Sequence, residues 1–265
     1  MKKHLLTLFI LLFGASTAFA GSFSILGVNR WKSDLSGNLK IGESTIPGNK
    51  VELDLGSEAG FGKEKVTGFT YKKDFGNSWK LGLSYVGVDH DTTFQLTQDF
   101  EFDNKVYKAN ADISMSLENT WFDISASKEL TKSQDKNFNL DGTLGVKISK
   151  SKIAVSGTDN LNNQMSHSWD ETIPVPYIGL ALSGELGEKF TYSAHYNWLG
   201  AKVGDYDASF KDIELKGAIR LNEKNADKEW FFYLAKQKIE YDIEGKDNKL
   251  VLDYSGPVFG LEVHF

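Results

Sequence analysis

Asp89-His90-Asp91 sets an imidazole between two carboxylates. Joined by Asp205 and Asp207 from another segment, such a group could polarise water for hydrolysis. Ser193 and His195 share a parity, as a nucleophile and its base would on one strand face; a plain hydrogen bond is the other role open to them. Glu262 and His264 repeat the pairing near the end of the chain. Five His are scattered and Cys is absent, so no zinc-type ligand set is expected. The Asp-rich stretches lack the spacing of a calcium loop. No cofactor is expected. Acidic residues outnumber basic ones, 36 to 30, and no basic block stands out, which argues against a nucleic-acid partner.

Whether these side chains meet depends on the elements that carry them. After Gly21 no apolar run approaches the ~18 residues of a spanning helix. Instead the chain alternates with period two. Trp79, Leu81, Leu83 and Tyr85 oppose Lys80, Gly82 and Ser84. Phe138, Leu140, Leu144, Val146 and Ile148 oppose Asp141 and Lys147. Ile178, Leu180, Leu182 and Leu186 oppose Tyr177 and Glu185. Phe190 to Trp198, Ile213 to Leu221, and Phe231 to Tyr241 continue the pattern. A parity switch near Glu118-Asn119-Thr120 predicts a bulge or a membrane boundary, and mixed parity over residues 23–28 predicts another bulge. Ten runs emerge. Short turns follow the even runs. Long loops are expected over about 35–62, 89–111 and 151–173.

The chain ends Phe259-Gly260-Leu261-Glu262-Val263-His264-Phe265. A terminal aromatic on an alternating strand resembles the bacterial outer-membrane β-barrels, where that strand is the signal read by the barrel-assembly machinery. The resemblance implies an all-β fold: one transmembrane, antiparallel, up-and-down barrel, most simply of ten strands. It implies Phe259, Leu261, Val263 and Phe265 as the assembly signal, both termini in the periplasm, and outer-membrane lipid and lipopolysaccharide as surroundings. Lys2, Lys3, the apolar run Leu5 to Phe13 and Ala18-Phe19-Ala20 predict a signal peptide over 1–20, leaving 21–265 as one barrel domain.

A soluble barrel would place its apolar faces inward, and alternation alone does not separate the two. Aromatics near the short turns (Phe75, Trp79, Phe138, Phe190, Tyr192, Phe231, Tyr233, Phe265), with Trp198 and Tyr241 opposite, favour two interfacial girdles. The inward set then includes Lys80, Asp141, Lys147, Glu185, Asp212, Glu214, Lys216, Arg220, Lys236, Lys238, Glu240, Asp242 and Glu262. Charge pairing among these predicts a plugged lumen, since ten strands enclose little space. The functional expectation is a non-enzymatic barrel acting structurally or binding a surface ligand through its long loops. A narrow channel is the alternative. A rim-site hydrolase is a third, because omptin proteases are ten-stranded with an Asp/His site at the outer rim; no second Asp-His pair with that layout appears here.

Overall fold

The computed structural model describes residues 23–42, 52–102, 105–133, 137–158, 163–246 and 248–265. The expected leader, residues 1–20, lies outside them. Thirteen strands form among the described residues: β1 (Ser24–Lys40), β2 (Glu52–Asp54), β3 (Lys63–Asp74), β4 (Trp79–Gln95), β5 (Phe100–Phe102), β6 (Lys105–Tyr107), β7 (Asp112–Lys132), β8 (Asn139–Thr158), β9 (Gln164–Leu186), β10 (Phe190–Val203), β11 (Tyr206–Arg220), β12 (Glu229–Glu244) and β13 (Lys249–His264). Ten of these (β1, β3, β4 and β7 to β13) pair antiparallel in chain order, and β13 returns to β1. The ring is a closed ten-stranded barrel. The first and last strands meet at its base, where Ser24 N–H donates to the Phe265 carbonyl at 2.7 Å and Phe265 N–H donates to Ser24 O at 2.9 Å. Closure leaves no sheet edge at this level, as hydrocarbon surroundings require.

Side chains alternate strictly along each strand, but the meaning of the alternation reverses along the axis. In the half nearest the termini the large apolar groups point outward. Leu144, Leu180, Leu186, Phe190, Leu215, Leu234 and Phe259 are all exposed. Along β8 with the preceding Phe138, along β10, and along β11 with the following Leu221, this band covers residues 138–146, 190–198 and 213–221, about nine residues each, the length of a tilted strand across a bilayer. In the far half the outward positions are polar and the inward ones apolar. Trp31, Leu39, Trp121, Val155, Phe210, Tyr241 and Tyr254 are each 2% exposed or less. The molecule is therefore a membrane barrel below and a water-facing sandwich above.

The upper part splits into two sheets. The β3–β4 pairing stops at Thr67–Gly87 and the β9–β10 pairing at Ile178–Trp198, although all four strands continue along their other neighbours. One sheet holds β4, β7, β8 and β9; the other holds β10 to β13, β1 and β3. Pro174 and Pro176 lie on the stretch of β9 that has a free edge, where a missing N–H breaks no ladder. At the split and below it, inward glycines make room for inward aromatics: a Cβ at Gly145 would overlap the ring of Tyr177, and one at Gly260 the ring of Tyr233, each being its cross-strand partner.

Several expectations are corrected here. Residues 151–173 are mostly strand, because β8 runs to Thr158 and β9 resumes at Gln164. Ile153, Val155 and Ile173 fill the core from this stretch, while Lys152, Ser166, Ser168 and Asp170 face water. The first and third connections do not stand clear as ligand-binding loops: Leu53, Leu55, Phe61, Phe100, Phe102 and Tyr107 are buried and cap the sandwich, with Tyr107 OH donating to Val155 O at 3.3 Å. No register shift falls within 23–28 or at Glu118–Thr120. The parity switch on β7 is the membrane boundary, and its one shift lies between Glu129 and Thr131.

The largest correction concerns β12. Phe231, Tyr233, Ala235, Ile239 and Tyr241 are buried in the bore, whereas Trp230, Phe232 and Leu234 face lipid. Lys236, Lys238, Glu240 and Asp242 thus point away from the lumen. Residues 230–234 are apolar on both parities, so the pattern is ambiguous there. The charged stretch stands above the lipid band, where outward means toward water.

Leu215→Arg tests the belt. A guanidinium placed toward hydrocarbon should lower the unfolding free energy from lipid vesicles by about 2–4 kcal/mol. An effect below ~1 kcal/mol would move Leu215 out of the belt.

Candidate functional site

The bore is filled in layers, best followed along the inner face of β11 from the termini upward. At the base Arg220 Nε donates to Glu229 at 2.9 Å and its Nη1 donates to the Glu188 carbonyl, with Glu185 at 3.8 Å. Four residues on, Lys216 reaches Glu262 at 2.9 Å and lies 4.9 Å from the Tyr233 ring centroid. His264 Nε2 is 3.0 Å from the same carboxylate. Across the bore Lys80 pairs with Asp141 at 2.6 Å, and Asn139 Nδ2 donates to Asp141 at 3.0 Å.

The next layer is a hub around Asp212. Lys147 Nζ stands 3.2 Å from one carboxylate oxygen. Gln237 Nε2 donates to the other at 3.0 Å, and His195 Nε2 is 3.3 Å from it. Lys147 also faces Asp123 at 3.9 Å, itself accepting a hydrogen bond from Tyr177 OH at 2.9 Å. Glu214 lies 3.8 Å from His195 Nδ1. Four strands (β7, β8, β10 and β11) supply these charges, β9 adds Tyr177 and β12 adds Gln237. Within the hub each charge has an opposite partner within 4 Å, which offsets a desolvation that would otherwise be prohibitive.

Above the hub the bore turns aromatic. Lys147 sits 4.6 Å from the Phe210 ring centroid. Phe210 meets Tyr241 at 5.2 Å, Tyr241 stacks on Trp121 at 5.6 Å, and Trp121 meets Tyr254 edge-on at 4.9 Å and Trp31 at 6.2 Å. Asn119 closes the layer, accepting from Ser149 at 3.2 Å and Ser151 at 3.4 Å.

Of the expected inward charges, Lys80, Asp141, Lys147, Glu185, Asp212, Glu214, Lys216, Arg220 and Glu262 line this lumen; the four on β12 do not. Asp123, Tyr177 and Gln237 complete the hub and were missed, although Asp123 shares the inward parity of Asn119 and Trp121. Among the expected girdle residues, Phe75, Trp79, Phe138 and Phe190 are exposed beside the short turns; Phe231, Tyr233 and Tyr241 are not in it.

The hydrolytic candidates do not converge. On β4, Asp89 and Asp91 face outward while His90 faces inward, as neighbours on a strand must. His90 is 1% exposed, 6.0 Å from the Phe61 ring and 6.2 Å from Tyr254. Asp207 is exposed on the outer face near the β10–β11 turn. Ser193 shares its face with His195, but His195 is committed to Asp212 and Glu214. Among the described residues no group of three or more His, Asp or Glu is placed to hold a metal.

Burial depresses the pKa of His90, against the opposing pull of Glu64, Asp34 and Asp91. The sign follows: below about pH 6.5 the unfolded chain takes up a proton that the fold refuses. The contribution of His90 to stability is therefore unchanged above ~6.5, falls as pH drops to the lowered folded value, and then levels off. His90→Phe should flatten that part of the stability–pH curve; an unchanged slope would place the titration elsewhere.

No family model matches the chain, and no curated protein matches it in sequence. Among solved structures it is similar to the outer membrane protease OmpT from Escherichia coli, with a TM-score of 0.57 and 10% identity over 95% of this chain and 99% of that one. Slighter likenesses are to the translocator domain of autotransporter NalP from Neisseria meningitidis (TM-score 0.41, 13% identity, 98% and 94% covered). Another is to Ail of Yersinia pestis (TM-score 0.36, 12% identity, 93% and 100% covered). At 10% identity the first likeness shows the fold alone, a closed antiparallel β-barrel of the outer-membrane type.

Proposed function

We propose that the protein is a closed, non-enzymatic outer-membrane barrel that carries a rigid two-sheet platform outside the membrane for surface interaction. The observation that carries this reading is the doubly filled bore: a charge-paired layer centred on Asp212 lies beneath an aromatic layer centred on Trp121. A third closure comes from the caps over the sandwich. With both termini in the periplasm, the platform stands at the cell surface. The signal peptide over 1–20 and recognition of the last strand by the assembly machinery belong to the same proposal. Phe259 and Leu261 of that strand face outward and exposed, which suits an assembly signal.

Single-channel recording of the refolded protein in a planar bilayer tests the reading. No conductance steps are expected. Steady open levels in the parent would overturn it in favour of a narrow channel. Lys236→Gln with Lys238→Gln should stay silent too, because both residues lie outside the bore.

A further inference from the structure

Just above the lipid band, on the outer wall, four exposed cations form a patch. Lys65 on β3 and Lys32 on β1 are direct cross-strand partners. Pro257 on β13 lies opposite Lys236 on β12, and β1 continues past it in unchanged register, since Trp31 pairs with Val258 and Asp34 with Ser255. Lys65, Lys32 and Lys236 therefore stand in one row over four strands. Two residues below Lys32, Arg30 sits opposite Phe259 and within 3.4 Å of Thr67 Oγ1.

Like charges directly opposite on a sheet repel, and no carboxylate among the described residues relieves them. The nearest outward acids are engaged elsewhere, Asp34 by Lys63 at 3.5 Å and Asp253 by Lys238 at 3.0 Å. Below the row lie the exposed apolar side chains Leu234 and Phe259, the next outward positions on their strands, and Phe69, which follows Thr67 down β3. The surface is thus cationic above and apolar below, at the height where lipid headgroups meet acyl chains.

We infer that this patch binds the phosphate-bearing headgroup of a membrane glycolipid in the loop-side leaflet. Lys32, Lys65, Lys236 and Arg30 donate to its phosphates, and its acyl chains lie on Phe69, Leu234 and Phe259. Charge-assisted bonds to phosphate offset the Lys32–Lys65 repulsion, and the apolar strip selects a lipid over a free anion. The inference rests on the membrane placement proposed above. It does not depend on the closed bore, because the patch lies on the outer wall.

Native mass spectrometry of the folded full chain in mixed micelles provides the test. The probes are phosphorylated lipid A, the same lipid with its phosphates removed, and a soluble inorganic polyphosphate. The parent should retain the phosphorylated lipid. The variant Arg30→Gln/Lys32→Gln/Lys65→Gln/Lys236→Gln should lose about fivefold in affinity per cation removed. Lys32→Arg/Lys65→Arg/Lys236→Arg should retain it. Heat-modifiable migration on SDS gels confirms folding of each. Equal retention by the fourfold variant, or equal retention of the dephosphorylated lipid, would overturn the inference. Displacement by polyphosphate at the concentration of the lipid would overturn the lipid as occupant.

Discussion

Asp212→Ala is expected to destabilise the barrel by about 3–5 kcal/mol, measured as urea unfolding from lipid vesicles. The change strands Lys147, whose other acidic partner is farther away at 3.9 Å. It also leaves Gln237 Nε2 without its acceptor and His195 without its nearer carboxylate. The loss is the penalty of an uncompensated buried charge rather than the worth of the pair. The double variant Lys147→Met with Asp212→Leu removes both charges and should recover much of the loss. The two single effects should therefore be strongly non-additive. Additive losses would show that Lys147 and Asp212 are not coupled and that the hub is not a unit.

Trp121→Ala is the matching experiment one layer higher. Its indole is 2% exposed and contacts Trp31, Tyr241 and Tyr254. Removing a buried aromatic of this size should lower stability by about 3–5 kcal/mol through lost contacts and a residual cavity. Conductance should remain absent, because the Asp212 layer still spans the bore below. Only Trp121→Ala combined with Asp212→Ala should leak. A single Trp121→Ala variant that conducts would mean that the charged layer does not seal the lumen.

The alternation of β8, β9 and β11 was legible because those strands carry one clear polarity through the membrane. Leu144, Leu180 and Leu215 face outward, and Asp141, Lys147 and Lys216 inward, as expected. Above the membrane the same alternation has the opposite meaning. Ile239 and Tyr241 look like lipid-facing residues and Lys238 and Glu240 like lumen residues until the height of the stretch is known. That height is set by the stagger of neighbouring strands, which no single segment carries. The same blindness made 151–173 look like a loop: a strand with Ser and Lys outward and Ile and Val inward reads as polar chain when hydrocarbon is assumed outside. The hub was half visible. Asp212 and Lys147 stood out as inward charges, but their pairing and the roles of Asp123, Tyr177 and Gln237 arise only from register across several strands. The rim hydrolase was suggested by adjacency in sequence, and strand geometry separates Asp89 and Asp91 from His90.

The reversal of polarity along the axis is most directly tested by a cysteine scan of β11, which the absence of native Cys makes clean. A fluorescent label is placed at Asp207, Ser209, Lys211, Ile213, Leu215 and Ile219 in turn, in vesicles of brominated lipid and then with aqueous iodide. Labels at 213, 215 and 219 should be quenched by lipid and little by iodide, and those at 207, 209 and 211 the other way round, with the crossover between 211 and 213. Lipid quenching that continues through 209 and 207, or iodide quenching at 215, would contradict the account.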